Sequence, residues 1–217
     1  MKYETLEKKI DKDLNWRRRE FIELSFIFNE MASEYRKKII LKSIITLAYA
    51  NWEGYIKYCV EQYLEYINKK NLLFNQLKNN FKQISLGKHF KNNNKYNFED
   101  IKTQKKFYEF FMENNEVFKI NQERICKNIG NLDYDAIKKI LMQLGFPENL
   151  YFNELGFINE QLLQHRNNIA HGDKKNEDNI DFEMIYEQIK DRLLNMMQLF
   201  HDKILEYAKN EKFLIGN

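Results

Sequence analysis

Residues 162–173, "LLQHRNNIAHGD", place Arg166 and His171 five positions apart, with Asn167 beside the arginine and a glycine directly after the histidine. Histidine, with an ordinary pKa of about 6.5, takes up and releases protons at neutral pH, whereas arginine stays charged and can hold a phosphate through two parallel N–H donors. Such a pair can cut RNA without a metal. His171 would take the proton of a ribose 2′-hydroxyl, and Arg166 would stabilise the charge that builds on the phosphate. The histidine of a second copy would protonate the departing 5′-oxygen. The products would be a 2′,3′-cyclic phosphate and a 5′-hydroxyl, and DNA, which lacks the attacking group, would be spared. The spacing itself resists this chemistry, because on a regular helix five positions turn the two side chains roughly 140° apart and about 7.5 Å along the axis. Gly172 puts His171 in a last turn, where the backbone can deviate, and a two-fold dimer would bring a second Arg/His pair to the same place. An ordinary helix end would suit the same residues, since basic side chains there complement the helix dipole. With seven arginines and four histidines in 217 residues, such a spacing arises roughly 0.4 times by chance, the false-positive risk of any short motif.

The remaining chemistry-bearing residues form no second constellation. His165 shares an apolar stripe with Leu162 and Ile169, which fits a buried or interface histidine better than a base. His89 and His201 lack partners at metal-ligand spacing, and no Gly-rich phosphate loop occurs, so neither a metal nor a cofactor is expected. Cys59 and Cys126 match no metal or disulfide pattern, and the opening "MKYETLEKKIDKD" has no apolar signal segment. These features point to free thiols in the cytoplasm. Net charge is only +3, but it is unevenly spread. Between residues 69 and 106 ten lysines face only Glu99 and Asp100, a local +8 that leaves −5 for the rest. Lysines interleaved with Phe74, Phe81, Phe90, Tyr96, Phe98 and Phe107 could grip phosphates and stack unpaired bases, with Lys88, Lys91, Lys95 and Lys102 as the candidate RNA contacts. Core aromatics with lysines on a solvated face would read the same way.

The elements that must position Arg166 and His171 are helical. One proline and seven glycines in 217 residues leave too few breakers for an all-β chain, and 43% hydrophobic content suffices for one sizeable core. The expectation is a single domain over residues 1–217. Leu6, Ile10, Leu14, Phe21, Leu24 and Phe28 predict a first helix from about Tyr3 to Met31. Ser33 is placed to cap a long central helix reaching Asn68, with Ile40, Ile44, Leu47, Trp52, Tyr55, Cys59, Tyr63 and Ile67 in phase. Within it Gly54 costs about 1 kcal/mol relative to alanine, which suggests that something approaches the backbone there. The segment "IILKSIITLAYANW" is broken by Lys42 and shorter than a membrane span, so no membrane is expected. Beyond Lys70 an amphipathic piece near Leu72–Ile84, a polar Asn/Lys loop and a helix over Phe98–Met112 are predicted, and "EVFKINQERICKNIG" reads as short strands or irregular backbone. Asp133 caps a short helix ended by Gly145 and Pro147, a segment from about Asn153 to Ala170 carries the motif, and Asp181 opens the last helix.

"HRNNIAHGD" resembles the signature of the HEPN superfamily, whose ribonucleases share an arginine, a polar residue, three to five further residues and a histidine. Here these are Arg166, Asn167 and His171. "LAYANWEGYIKYCVEQYLEYI" and "KNIGNLDYDAIKKILMQLGF" are similar to its MAE-type branch, found in prokaryotic defence and toxin systems, and with the motif they cover about half of the chain. The resemblance implies an all-α, HEPN-like helical bundle, here with a long central helix and a polar, basic insertion. It also implies a homodimer with a composite site between protomers, metal-independent RNA cleavage and often a cognate antitoxin. Glu53, in the "WEG" stretch, carries over as an acidic residue able to orient Arg166 or His171, although a plain helix-surface glutamate fits as well; Asn167 would position the phosphate or the histidine. One departure stands out. Members silenced by a nucleotidyltransferase partner carry a tyrosine two residues after the histidine, where this chain has Asp173, so that off-switch is not expected. The expected function is an endoribonuclease acting as a toxin or antiphage effector; the alternatives are a non-catalytic HEPN-like module binding RNA, nucleotide or a partner, and a plain helical interaction protein.

Overall fold

The computed structural model describes residues 1–89, 97, 99–113, 115–121, 125–126, 130–172 and 181–216, with 86–89 by backbone alone. Lys91, Lys95, Phe90, Tyr96, Phe98 and Asp173 lie outside these residues, and the side chain of Lys88 does too.

Among the described residues the secondary structure is all-α, in seven α-helices: α1 Tyr3–Asn29, α2 Glu34–Asn68, α3 Asn79–His89, α4 Ile101–Tyr108, α5 Tyr134–Leu144, α6 His165–His171 and α7 Phe182–Lys209. The centre is α2, with α1 and α7 packed along it and α6 against its flank. Its periodic residues Ile44, Trp52, Tyr55, Cys59, Tyr63 and Ile67 are all fully enclosed. Burying one such large side chain is worth about 1.5–3 kcal/mol, so this helix contributes heavily to the core. Ser33 stands at its N-cap position, though its hydroxyl makes no capping bond. Asp133 and Asp181 do cap α5 and α7, accepting from the Ala136 and Met184 amides at 2.7 and 3.0 Å.

Beyond α2 the chain turns through a short 3-10 helix, Phe74–Gln76, before α3. The amphipathic stretch predicted here is therefore two elements. α4 starts from its Asp100 cap and loosens into a π-turn over Glu109–Glu113. Residues 115–120 are irregular, with a single bridge between Leu73 and Val117, and Phe118 and Ile120 are buried. A continuous helical run, 155–171, carries the motif; its first part, Phe157–Gln164, is π-helical and only α6 is regular. Gly145 and Gly172 end α5 and α6 at φ 75° and 63°, a left-handed geometry that glycine adopts without a Cβ penalty.

His201 ties the two outer helices together. Its ring nitrogens lie 2.7 Å from an Asp11 carboxylate oxygen on α1 and 3.0 Å from Asp202, and the residue is buried. Among the described residues no helix is long and apolar enough to cross a membrane.

Candidate active site

Arg166 sits in the first turn of α6, which packs against α2. Its guanidinium lies over the face of Tyr49, 4.6 Å from the ring centroid, and Nη1 donates to Asn167 Oδ1 at 2.7 Å. Tyr49 is itself enclosed, and its hydroxyl oxygen accepts the Leu132 backbone N–H at 2.7 Å. Burial pushes the Tyr49 phenol well above its ordinary range, with the Glu53 carboxylate adding to the shift. A neutral, fixed aromatic face thus underlies the charged group.

In front of this pair lies a concavity of about 330 Å³ lined by Thr46, Tyr49, Ala50, Glu53, Gly54, Lys57 and Arg166. A second, of about 370 Å³, shares Thr46 and runs past Leu47, Ser43, Lys42 and Ile39 to Ile169 of α6. Together they form a groove along one face of α2, with α6 as a wall. The spacing explains the lining: Tyr49, Glu53 and Lys57 succeed each other at four residues, so they stack on one helix face at steps of about 6 Å.

Glu53 therefore does share a cavity with Arg166, but its carboxylate bonds to Lys57, one turn further on. The sequence left it either orienting Arg166 or His171 or standing as a plain helix-surface glutamate. Lys57, which sequence reasoning did not single out, takes the carboxylate, and Arg166 has no carboxylate partner among the described residues. The close approach expected at Gly54 is also present, and it is made by Arg17 of α1. A Cβ there would stand 3.1 Å from Nη1 of Arg17, a guanidinium held by Asp13 at 2.6 Å and by the Asn51 side chain at 3.0 Å.

His171 is exposed in the last turn of α6, lines neither concavity, and is not joined to Arg166 by a hydrogen bond. Because α6 is regular from His165 to His171, the roughly 140° divergence expected for five positions persists, and Gly172 bends the chain only beyond the histidine. Within one chain the two groups do not converge. His165 is half-buried; burial lowers its pKa, and its Nδ1 is enclosed without a partner. It belongs to the packing rather than to the groove.

The lysine-rich segment stands elsewhere. α4 reaches the body through Phe110, which packs on Phe74 at 4.7 Å, just past the end of α2. From Tyr49 to Asn68 that helix rises about 28 Å, which sets exposed Lys102 far from Arg166 in the same chain. Several lysines of the segment are also engaged within the molecule: Lys69 with Glu65, Lys70 with Glu211 and Lys105 with Glu109. Among the described residues no group of three or more His, Cys, Asp or Glu side chains gathers as metal ligands would.

A family model for MAE_28990-like HEPN domains matches residues 6–213. No curated protein and no solved structure shows a match.

Proposed function

The chain belongs to the MAE_28990-like HEPN family, and on that premise we propose that it is a metal-independent endoribonuclease acting as a toxin or antiphage effector in the cytoplasm. The observation that carries the reading is Arg166, a motif guanidinium seated on Tyr49 at the wall of a groove, with no carboxylate partner among the described residues. A charge so presented suits a phosphate, whose developing negative charge it would stabilise as the 2′-oxygen attacks. His171, exposed and five residues further on, would accept the 2′-hydroxyl proton. A second copy's histidine would give a proton to the 5′-oxygen, so that bond formation and bond breaking balance without a co-reactant. The divergence of Arg166 and His171 within one chain is why this reading requires a homodimer, a composite site built from two copies of one domain. A cognate antitoxin would act by covering that groove. Lys88, Lys91, Lys95 and Lys102 would hold RNA away from the scissile bond, through contacts that weaken steeply with salt.

The same divergence favours one rival, a non-catalytic module that binds RNA, nucleotide or a partner through the groove. Cleavage of total cellular RNA in EDTA by the wild type and His171→Ala, with end-group analysis, separates the two. Cyclic phosphate ends lost in the mutant are the expected result. Inactivity of a folded wild-type dimer on several RNA classes favours the binding module, and a monomer of about 27 kDa by light scattering at micromolar concentration undercuts the composite site.

A further inference from the structure

Tyr49 is placed so that it constrains Arg166 without neutralising it. A guanidinium has two flat faces and an edge of five N–H donors. The Arg166 guanidinium carbon stands over the Tyr49 ring, 4.6 Å from its centroid, and among the described residues only one edge donor is spent, on Asn167. The rest of the edge stays available for an anion. A carboxylate would also fix the arginine, but by supplying the charge that a phosphate must supply, so it would compete with substrate. Glu53, which lines the same concavity, is bonded to Lys57 instead.

The platform is itself immobile. Tyr49 is 1% exposed, and the Leu132 N–H donated to its oxygen ties the ring to the chain just before α5. The ring lies on the rigid central helix, whereas Arg166 lies on a seven-residue helix that follows π-helical turns. Orientation is therefore imposed by α2 on α6.

We infer that Tyr49 is a positioning residue for the Arg166 site: its ring holds the guanidinium flat, with the N–H edge turned to the phosphate group of the nucleic-acid substrate. The inference rests on the ribonuclease reading for its consequence in catalysis, but the stacked pair can be tested without any activity.

In the wild type, the Arg166 Nε–H resonance, assigned by its loss in Arg166→Lys, is expected to show a ring-current shift and slow side-chain motion. Tyr49→Leu should abolish both, and Tyr49→Phe should restore both, because the ring and not the hydroxyl makes the contact. On RNA, Tyr49→Leu should lower kcat by about ten-fold with KM changed less than about two-fold, the scale a desolvated cation–π contact can supply. Tyr49→Phe should recover most of that loss. An unshifted, mobile Arg166 resonance in the wild-type protein overturns the inference and needs no mutant to fold. So does a folded Tyr49→Phe variant that keeps the shifted Arg166 resonance yet is as inactive as a folded Tyr49→Leu. A wild type that shows the shifted resonance but cleaves no RNA overturns the ribonuclease reading and leaves the positioning contact standing.

Discussion

Replacing Gly54 with alanine tests whether the thin point in α2 is there for Arg17. In an unhindered helix interior the change stabilises by about 1 kcal/mol. Here the added Cβ would stand 3.1 and 3.2 Å from the two terminal nitrogens of Arg17, so the guanidinium must yield by a few tenths of an ångström. A free arginine would do so at no cost. This one is bound at 2.6 Å to Asp13, and its Nη1 donates to both the Asn51 side chain and backbone oxygens, at 3.0 and 3.3 Å. Hydrogen bonds to charged groups are worth about 1.5–3 kcal/mol each, so weakening one of them outweighs the gain in helix propensity. The expected balance is a loss of roughly 1 kcal/mol, or about 2–4 °C in Tm for a chain of this size. In an Arg17→Ala background the obstruction is gone, and Gly54→Ala should then stabilise by about 1 kcal/mol. The coupling of roughly 2 kcal/mol lies within the range for residues in contact. Urea unfolding of the four proteins at a common m-value measures it. Equal stabilisation by Gly54→Ala in both backgrounds would refute the reasoning, leaving the glycine without a structural cause.

Two further outcomes follow from the same coordinates. Burial lowers the pKa of His165 in the fold, so the unfolded chain binds the proton more readily. Its contribution is therefore intact above the unfolded value of about 6.5 and diminishes as pH falls towards the depressed folded value. Thermal melts at pH 7.5 and 5.5 should show a smaller difference for a folded His165→Gln variant than for the wild type; an unchanged difference would remove His165 as the source. His201→Ala should cost about 1–3 kcal/mol, because a buried ring that joins α1 to α7 through Asp11 is lost. A chemical denaturation midpoint equal to that of the wild type would contradict that linkage.

The helices were legible where one periodic stripe faces one core. α1, α2, α5 and α7 carry apolar residues at three- and four-residue steps, and Asp133, Gly145 and Asp181 mark termini by chemistry local to the chain. The motif helix was harder, since a π-helical stretch changes the register on which such stripes depend, and nothing in "FINEQLLQ" announces it. For the candidate site, residue types and spacing singled out Arg166 and His171 and the resemblance added Asn167 and Glu53, yet neither told which of them meet. Glu53 has Lys57 four residues on, an ordinary helix-surface spacing, and that local pair prevails over the longer-range partners assigned from resemblance. Tyr49 was hidden for the opposite reason. A tyrosine inside an apolar stripe reads as core, and it is core; only its contact with another helix makes it part of the site.

Charge pairing around the Gly54 turn also bears on which arginine acts. Three cations crowd this part of α2: Arg17 against Gly54, and Lys57 and Arg166 along the groove. Arg17 is bound to Asp13 and Lys57 to Glu53, and both pairs are four residues apart on a single helix, so they form without help from tertiary structure. Arg166 is held by an aromatic face and a neutral amide. An incoming phosphate would have to displace a carboxylate to reach either of the first two, at a cost that Coulomb attraction in a partly buried site makes large. At Arg166 no carboxylate of the described residues has to be displaced. Of these three, the cation without a carboxylate partner among the described residues is thus the one in the Arg-Asn-x3-His motif, an arrangement that suits the proposed phosphate-binding role.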